Sequence, residues 1–195
     1  MKPFKKRRRG GLIASFEAGE AQLLANLAGQ VVELLRDRNS ADESDPDPLA
    51  AQLGLGGSSM PPEDPVLQRL LPDAYRDDEE EAGEFRRLTE RSLTAVKVRN
   101  AEDLIGSLID GGLEVGALAA VDDAHHIEVE LNGDEVQAWL RSLTDIRLSL
   151  AVRLGIETEE DSMLIARSDD EATAAMSEIY DWLGYVQESL VAALD

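Results

Sequence analysis

The sequence predicts a mainly helical α+β domain, with four substantial amphipathic helices, one short helix and one or two small β-hairpins. Three observations predict it. Apolar residues recur at three- and four-residue spacing in four long segments, the period of one helix face. Gly10-Gly11 joins two short extended stretches, and Ile127, Val129 and Leu131 alternate with Glu128 and Glu130 as a half-buried strand does. An apolar share of 43% over 195 residues suits one globular domain rather than a disordered chain.

The first element is a hairpin over roughly residues 3–16, since a two-residue Gly-Gly loop supplies the positive φ angles of a type I′ turn. Leu24, Leu27, Val31, Leu34 and Leu35 then form one apolar stripe of a helix from Glu17 to Arg38. Residues 1–38 make an N-terminal hairpin and first helix that pack on the rest. From 39 to 64 the composition turns to Asp, Ser, Pro and Gly, a flexible linker or disordered insert. Its glycine run, Gly54 to Gly57, lacks the Gly-Lys-Ser/Thr of a phosphate loop.

The body, 65–195, opens with Asp64 as N-cap and Pro65 in the first turn of a short helix through Leu71, stopped by Pro72. Carboxylates from Asp77 to Glu81 open the next helix, favoured there by the helix dipole, and Phe85, Leu88, Leu93 and Val96 supply its apolar positions. It continues through Leu104, Ile105, Leu108 and Ile109 to Gly111-Gly112. A second hairpin is expected near 113–131, turning at Asp122-Asp123. Asn132 followed by Glu135 is a capping-box signal for a helix carrying Val136, Trp139, Leu140, Leu143, Ile146 and Leu150 to Gly155. Ser168 to Glu171 repeats that logic for a last helix through Met176, Ile179, Leu183, Val186 and Leu190.

Forty acids against 19 bases give a net charge of −21. Six of the bases lie in the first ten positions, which hold no acid, so the remaining 13 face all 40 acids and the body carries −27. Such a body repels polyanions and suits a basic partner surface. No cysteine is present, which excludes disulfides, thiolate nucleophiles and Cys-ligated zinc. The longest apolar runs are too short to span a bilayer and no signal-peptide core follows the basic start, so a cytoplasmic chain with no membrane partner is expected.

Few constellations carry chemistry. His125-His126 beside Asp122 and Asp123 has metal-ligand residue types, but neighbours in a strand point to opposite faces, so a solvated turn is the reading. Two histidines, no nucleophile elbow and an excess of carboxylates without pairing specificity leave no named catalytic residue. No enzyme, cofactor or metal is expected. The basic arm Lys5, Lys6, Arg7, Arg8 and Arg9 is a candidate for DNA phosphates or a partner, and equally for covering the chain's own acidic surface. Leu148 to Ile156 reads like the first helix and glycine turn of a helix-turn-helix, but Glu157, Glu159, Glu160 and Asp161 follow where a recognition helix would meet phosphate. Trp182 and Tyr185 are candidates for a partner surface, while Tyr180 and Leu183 share a face with Val186 and Leu190 and would pack against Trp139.

Three segments carry a resemblance: LLPDAYRDDEEEAGEFRRLTE from Leu70 to Glu90, WLRSLTDIRLSLAVRLGI from Trp139 to Ile156, and YDWLGYVQESLV from Tyr180 to Val191. With the MKPF start and the helix after it, they resemble the actinobacterial AosR-like oxidative-stress regulators, long catalogued as a domain of unknown function. The resemblance implies a cytoplasmic transcriptional regulator working with RNA polymerase through a sigma factor and tied to oxidative stress and cysteine supply. Sensing in that family is connected to thiol oxidation, and this chain departs there because it has no cysteine. Regulation without a protein thiol, a thiol in a partner, or a different role all stay open. Of Met1, Met60, Met163 and Met176, only a solvent-exposed sulfur would oxidise readily. The expected function is therefore transcription-associated regulation by binding a sigma factor or RNA polymerase, with DNA contact, if any, through the arm. The alternative is a non-enzymatic helical adaptor or scaffold unrelated to transcription.

Overall fold

The computed structural model describes residues 1–8, 10–41, 58–75, 77–114 and 126–195. In chain order the described elements are β1 (Lys2–Lys6), β2 (Leu12–Glu17), α1 (Ala18–Ala41), α2 (Pro65–Leu70), α3 (Glu79–Asp110), β3 (His126–Leu131), α4 (Gly133–Leu154), α5 (Glu159–Ile165) and α6 (Glu171–Ala192). The mainly helical α+β class holds, with α5 as a second short helix beyond the one expected.

One antiparallel sheet in the order β1-β2-β3 carries all three strands. The register sets Leu12 opposite Leu131, Ala14 opposite Val129 and Phe16 opposite Ile127. All six of these side chains are buried, so the period-2 alternation in both strands selects one core face. The strand at 126–131 thus joins the N-terminal hairpin as its third strand. Residues 115–125, with His125, Asp122 and Asp123, lie outside the described residues. The physical reason is hydrophobic: β2 and β3 each bury three residues on one side, and pairing them makes one continuous apolar sheet face.

The chain reversal after β1 also differs from a turn pivoting on the two glycines. Gly10 N–H donates to the Arg7 carbonyl at 3.2 Å and Arg7 N–H to the Gly11 carbonyl at 3.0 Å. The loop is therefore a longer one that ends in glycine, with φ of +89° at Gly10 and +79° at Gly11. A side chain at Gly11 would also run into the Leu131 carbonyl oxygen, so the strand pairing itself requires glycine there.

Helices cover the inner face of the sheet. α1 packs on α3, α3 on α4, and α4 on both α6 and α2. Phe4, Phe16 and Trp139 form an aromatic cluster, with Phe4 meeting Trp139 edge-on at 5.6 Å and Phe16 lying 5.8 Å from it. Trp139 thus packs on the hairpin, within the same core that takes Leu183, Val186, Leu190 and the partly buried Tyr180. Its Nε1 donates to Ser107 Oγ at 2.7 Å, which satisfies the indole inside the core.

Three helix starts use acidic or amide caps as their local sequence allows, while the last helix starts later than the Ser168–Glu171 signal, with Asp170 as N-cap accepting from Thr173 N–H at 2.8 Å because that aspartate, not Ser168, stands directly before the helix. Asp64 accepts from Val66 N–H at 2.6 Å, and Asp78 from Glu80 and Glu81 N–H at 3.1 and 3.0 Å. Asn132 and Glu135 form the reciprocal box ahead of α4, and Gly155, at φ +71°, ends that helix. Each such cap stabilises by about 1 kcal/mol. Helix α1 runs three residues past Arg38, into the stretch expected as linker, and 42–57 lie outside the described residues.

The largest departure is in α3. Its second half buries Leu104 and Leu108 as expected, with Ala101 beside them, Ile105 partly buried and Ile109 exposed, but in its first half the expected apolar positions face outward. Phe85, Leu88, Leu93 and Val96 face solvent, while Arg86, Glu90 and Thr94 are buried. A charged network holds this inverted half in place. Glu90 Oε1 accepts from Arg38 Nε at 2.8 Å, and Arg86 donates to the Asp73 carboxylate and the Ser59 carbonyl. Arg38 also donates to the Met60 carbonyl at 2.7 Å, so residues 58–62 are strapped across α1 and α3 by two guanidinium groups.

Candidate partner-binding surface

The basic arm is built on β1, an edge strand anchored by the buried Phe4. Lys5, Lys6, Arg7 and Arg8 are exposed, and Arg9 lies outside the described residues. An edge strand keeps one row of backbone groups unpaired, and lysine there blocks uncontrolled strand addition. Arg7 Nη1 pairs with Glu130 Oε2 at 2.6 Å, so one cation of the arm is folded onto the protein's own β3. Arg7 thus covers an acid of the body, while Lys5, Lys6 and Arg8 stand outward.

Beside the arm lies a depression lined by Ser107, Asp110, Gly111, Glu128, Glu130 and Glu135. Three elements make it. The C-terminal end of α3 supplies Asp110, the solvent face of β3 supplies Glu128 and Glu130, and the first turn of α4 supplies Glu135. Alternation fixes the β3 acids outward because Ile127, Val129 and Leu131 are held inward. Glu135 Oε2 is committed to the Asn132 N–H at 2.7 Å. The patch concentrates negative charge on a concave surface, an arrangement that attracts a cationic segment. Sequence reading did not find it, because Asp110 and Glu128 come together only through the packing of α3 on β3.

Trp182 and Tyr185 separate on α6. Tyr185 is exposed, whereas Trp182 is partly buried against the core. Tyr180 lies under the Arg147 guanidinium, whose Cζ is 4.8 Å from the ring centroid, a cation–π contact that fixes α6 on α4. Of the pair, Tyr185 is the one whose side chain is exposed to solvent.

The remaining candidates resolve simply. His126 is exposed at the start of β3, and no group of three or more metal-ligating side chains converges among the described residues. Helix α5 is seven residues long with Glu159, Glu160 and Asp161 in its first turn, which opposes a DNA recognition role. Met60 and Met163 expose their side chains. Among the described residues no helix is long and apolar enough to cross a membrane.

A family model described as a domain of unknown function, DUF2017, matches residues 1–194. The chain belongs to this family. Relatives named oxidative stress regulator AosR, from Mycobacterium tuberculosis and Mycobacterium bovis, are each 32% identical over 195 residues, covering 93% of this chain and 81% of theirs. The resemblance read from the three segments is thereby shown at the level of the whole chain. No solved structure matches.

Proposed function

We propose that this DUF2017 member is a non-enzymatic, cytoplasmic regulator of the oxidative-stress type that acts by binding protein. A sigma factor or RNA polymerase is the partner, and the basic arm provides any DNA contact. The acidic depression formed by Asp110, Glu128 and Glu130 carries this reading: it is a concave patch of one sign, able to take a basic segment. The names of the mycobacterial relatives support the regulatory part. The −27 body supports a protein partner over a broad DNA footprint, since its net charge opposes the approach of phosphate.

The test is capture of purified sigma factor and core polymerase by the full chain across a salt series. Binding at low salt is expected, weakening as salt rises, and Asp110→Lys with Glu128→Lys should abolish it. No capture at low salt overturns the reading. For the arm, neutralising Lys5, Lys6, Arg7, Arg8 and Arg9 should remove duplex DNA binding and flatten its salt dependence. Unchanged, salt-steep binding would place the DNA contact elsewhere.

A further inference from the structure

The acidic depression already holds a group of opposite charge from within the chain. Arg7 Nη1 lies 2.6 Å from Glu130 Oε2, and Glu130 is one of the residues that line the depression. The turn after β1 makes this reach possible. Arg7 N–H donates to the Gly11 carbonyl at 3.0 Å, and Gly11, having no side chain, lies against the Leu131 carbonyl oxygen on β3. That close approach draws the turn over the end of β3 and sets the Arg7 guanidinium beside the residue before Leu131.

The acids of the depression are unequally committed. Glu135 is held by the Asn132 N–H at 2.7 Å in the cap of α4, and Glu130 by Arg7. Among the described residues, Asp110 and Glu128 make no side-chain hydrogen bond or ion pair, so they are the open part of the patch. Arg8, one position on in the same turn as Arg7, likewise has no ion pair among the described residues. The Arg7 side chain is 36% exposed and that of Glu130 51%, so water competes for both ends of their pair. An ion pair of this kind shifts an equilibrium by no more than about fivefold, which makes it a contact that an incoming cation exchanges.

We propose that Arg7 is a displaceable plug on the depression: a basic segment docking there takes over Glu130, and Arg7 swings out to join Lys5, Lys6 and Arg8. This role rests on the depression being the site of a basic partner, and supplies the regulation of that site. Charge balances in the exchange, because one cation leaves Glu130 as another arrives. The plug also couples the depression to the arm. Filling the depression adds one outward cation to the arm, and by reciprocity an anion that holds Arg7 frees Glu130 and strengthens the docking of a basic segment by the same factor.

Fluorescence anisotropy of a labelled, amidated hexa-arginine peptide titrated with the full chain at physiological salt tests this. Arg7→Ala and Arg8→Ala remove the same charge from the same turn, so net charge cancels in their comparison. Arg7→Ala is expected to bind the peptide about two- to fivefold tighter than Arg8→Ala. In a Glu130→Gln background the two should bind alike, since the plug has lost its acid. Equal affinities of Arg7→Ala and Arg8→Ala in the otherwise unchanged chain, or a difference that survives Glu130→Gln, overturn the proposal. Peptide affinity unchanged by Asp110→Lys with Glu128→Lys overturns the depression as the binding site, and the plug with it. A sigma factor that is not captured, while the peptide still shows the Arg7 difference, supports the plug and overturns only the choice of partner.

Discussion

Removing the Glu90 carboxylate should destabilise the protein far more than any exposed acid does. The side chain is 3% exposed, between Arg38 at 13% and Arg86 at 7%. Its Oε1 accepts from Arg38 Nε at 2.8 Å, and its Oε2 lies 3.9 Å from Arg86 Nε with no hydrogen bond of its own. Glu90→Ala deletes the charge that compensates Arg38 and leaves a guanidinium buried with a carbonyl as its remaining partner. Breaking a buried ion pair in this way costs about 3–5 kcal/mol. Arg86 suffers less, because Asp73 and the Ser59 carbonyl still hold it. The pair replacement Arg38→Met with Glu90→Met should therefore fall within about 1 kcal/mol of the parent, since both charges and their desolvation disappear together. Urea unfolding followed by far-UV circular dichroism reads the difference, with m-values compared to confirm that two-state behaviour survives. A Glu90→Ala cost below about 1 kcal/mol, or a double variant as unstable as the sum of its singles, would refute the picture of a desolvated, mutually compensating network.

Other contacts in the protein carry equally definite outcomes. Gly10→Ala meets no neighbouring atom and should cost only the left-handed backbone penalty, about 1–2 kcal/mol, whereas Gly11→Ala adds a clash with the Leu131 carbonyl and should cost clearly more in the same urea assay. Trp139→Phe loses the 2.7 Å bond to Ser107 Oγ and part of the ring packing on Phe4 and Phe16, an expected loss of about 1–3 kcal/mol measured by thermal unfolding. Hydrogen bonds from Thr158, and then from Glu157, hold the Asp161 carboxyl below its ordinary range, and those from Thr173 do the same for Asp170. Their contribution is present above the ordinary carboxylate value and lost as pH falls through the lowered one, so the first turns of α5 and α6 should lose amide-exchange protection in acid, and Asp170→Asn should remove that pH step in α6. Asp145 has the opposite sign: burial raises its pKa against the opposing pull of Lys97 at 2.6 Å. The folded state then holds the proton more tightly than the unfolded chain, so this group's contribution declines as pH rises above the ordinary carboxylate value, and Asp145→Asn should flatten that decline.

The sequence by itself determined the elements whose signals are local. Asp64-Pro65, the Asn132–Glu135 box and Gly155 place helix ends because a cap is satisfied by residues two to four positions away. The alternation in Leu12–Phe16 and Ile127–Leu131 marks the buried strand faces for the same reason. The basic arm and the acidic body are also composition, visible before any folding. What periodicity could not decide was which neighbour each face would meet. Two strands far apart in the chain share one sheet, because pairing them buries six apolar side chains on a single surface. Asp110 and Glu128 form one depression only because α3 packs on β3. The stripe of Phe85, Leu88 and Val96 reads as a core face in the sequence. Its orientation is set instead by Arg38, whose guanidinium reaches Glu90 from 52 positions away and draws the charged side of α3 inward. A helical pattern records that a face is apolar; only the tertiary partners determine whether that face is buried or left at the surface.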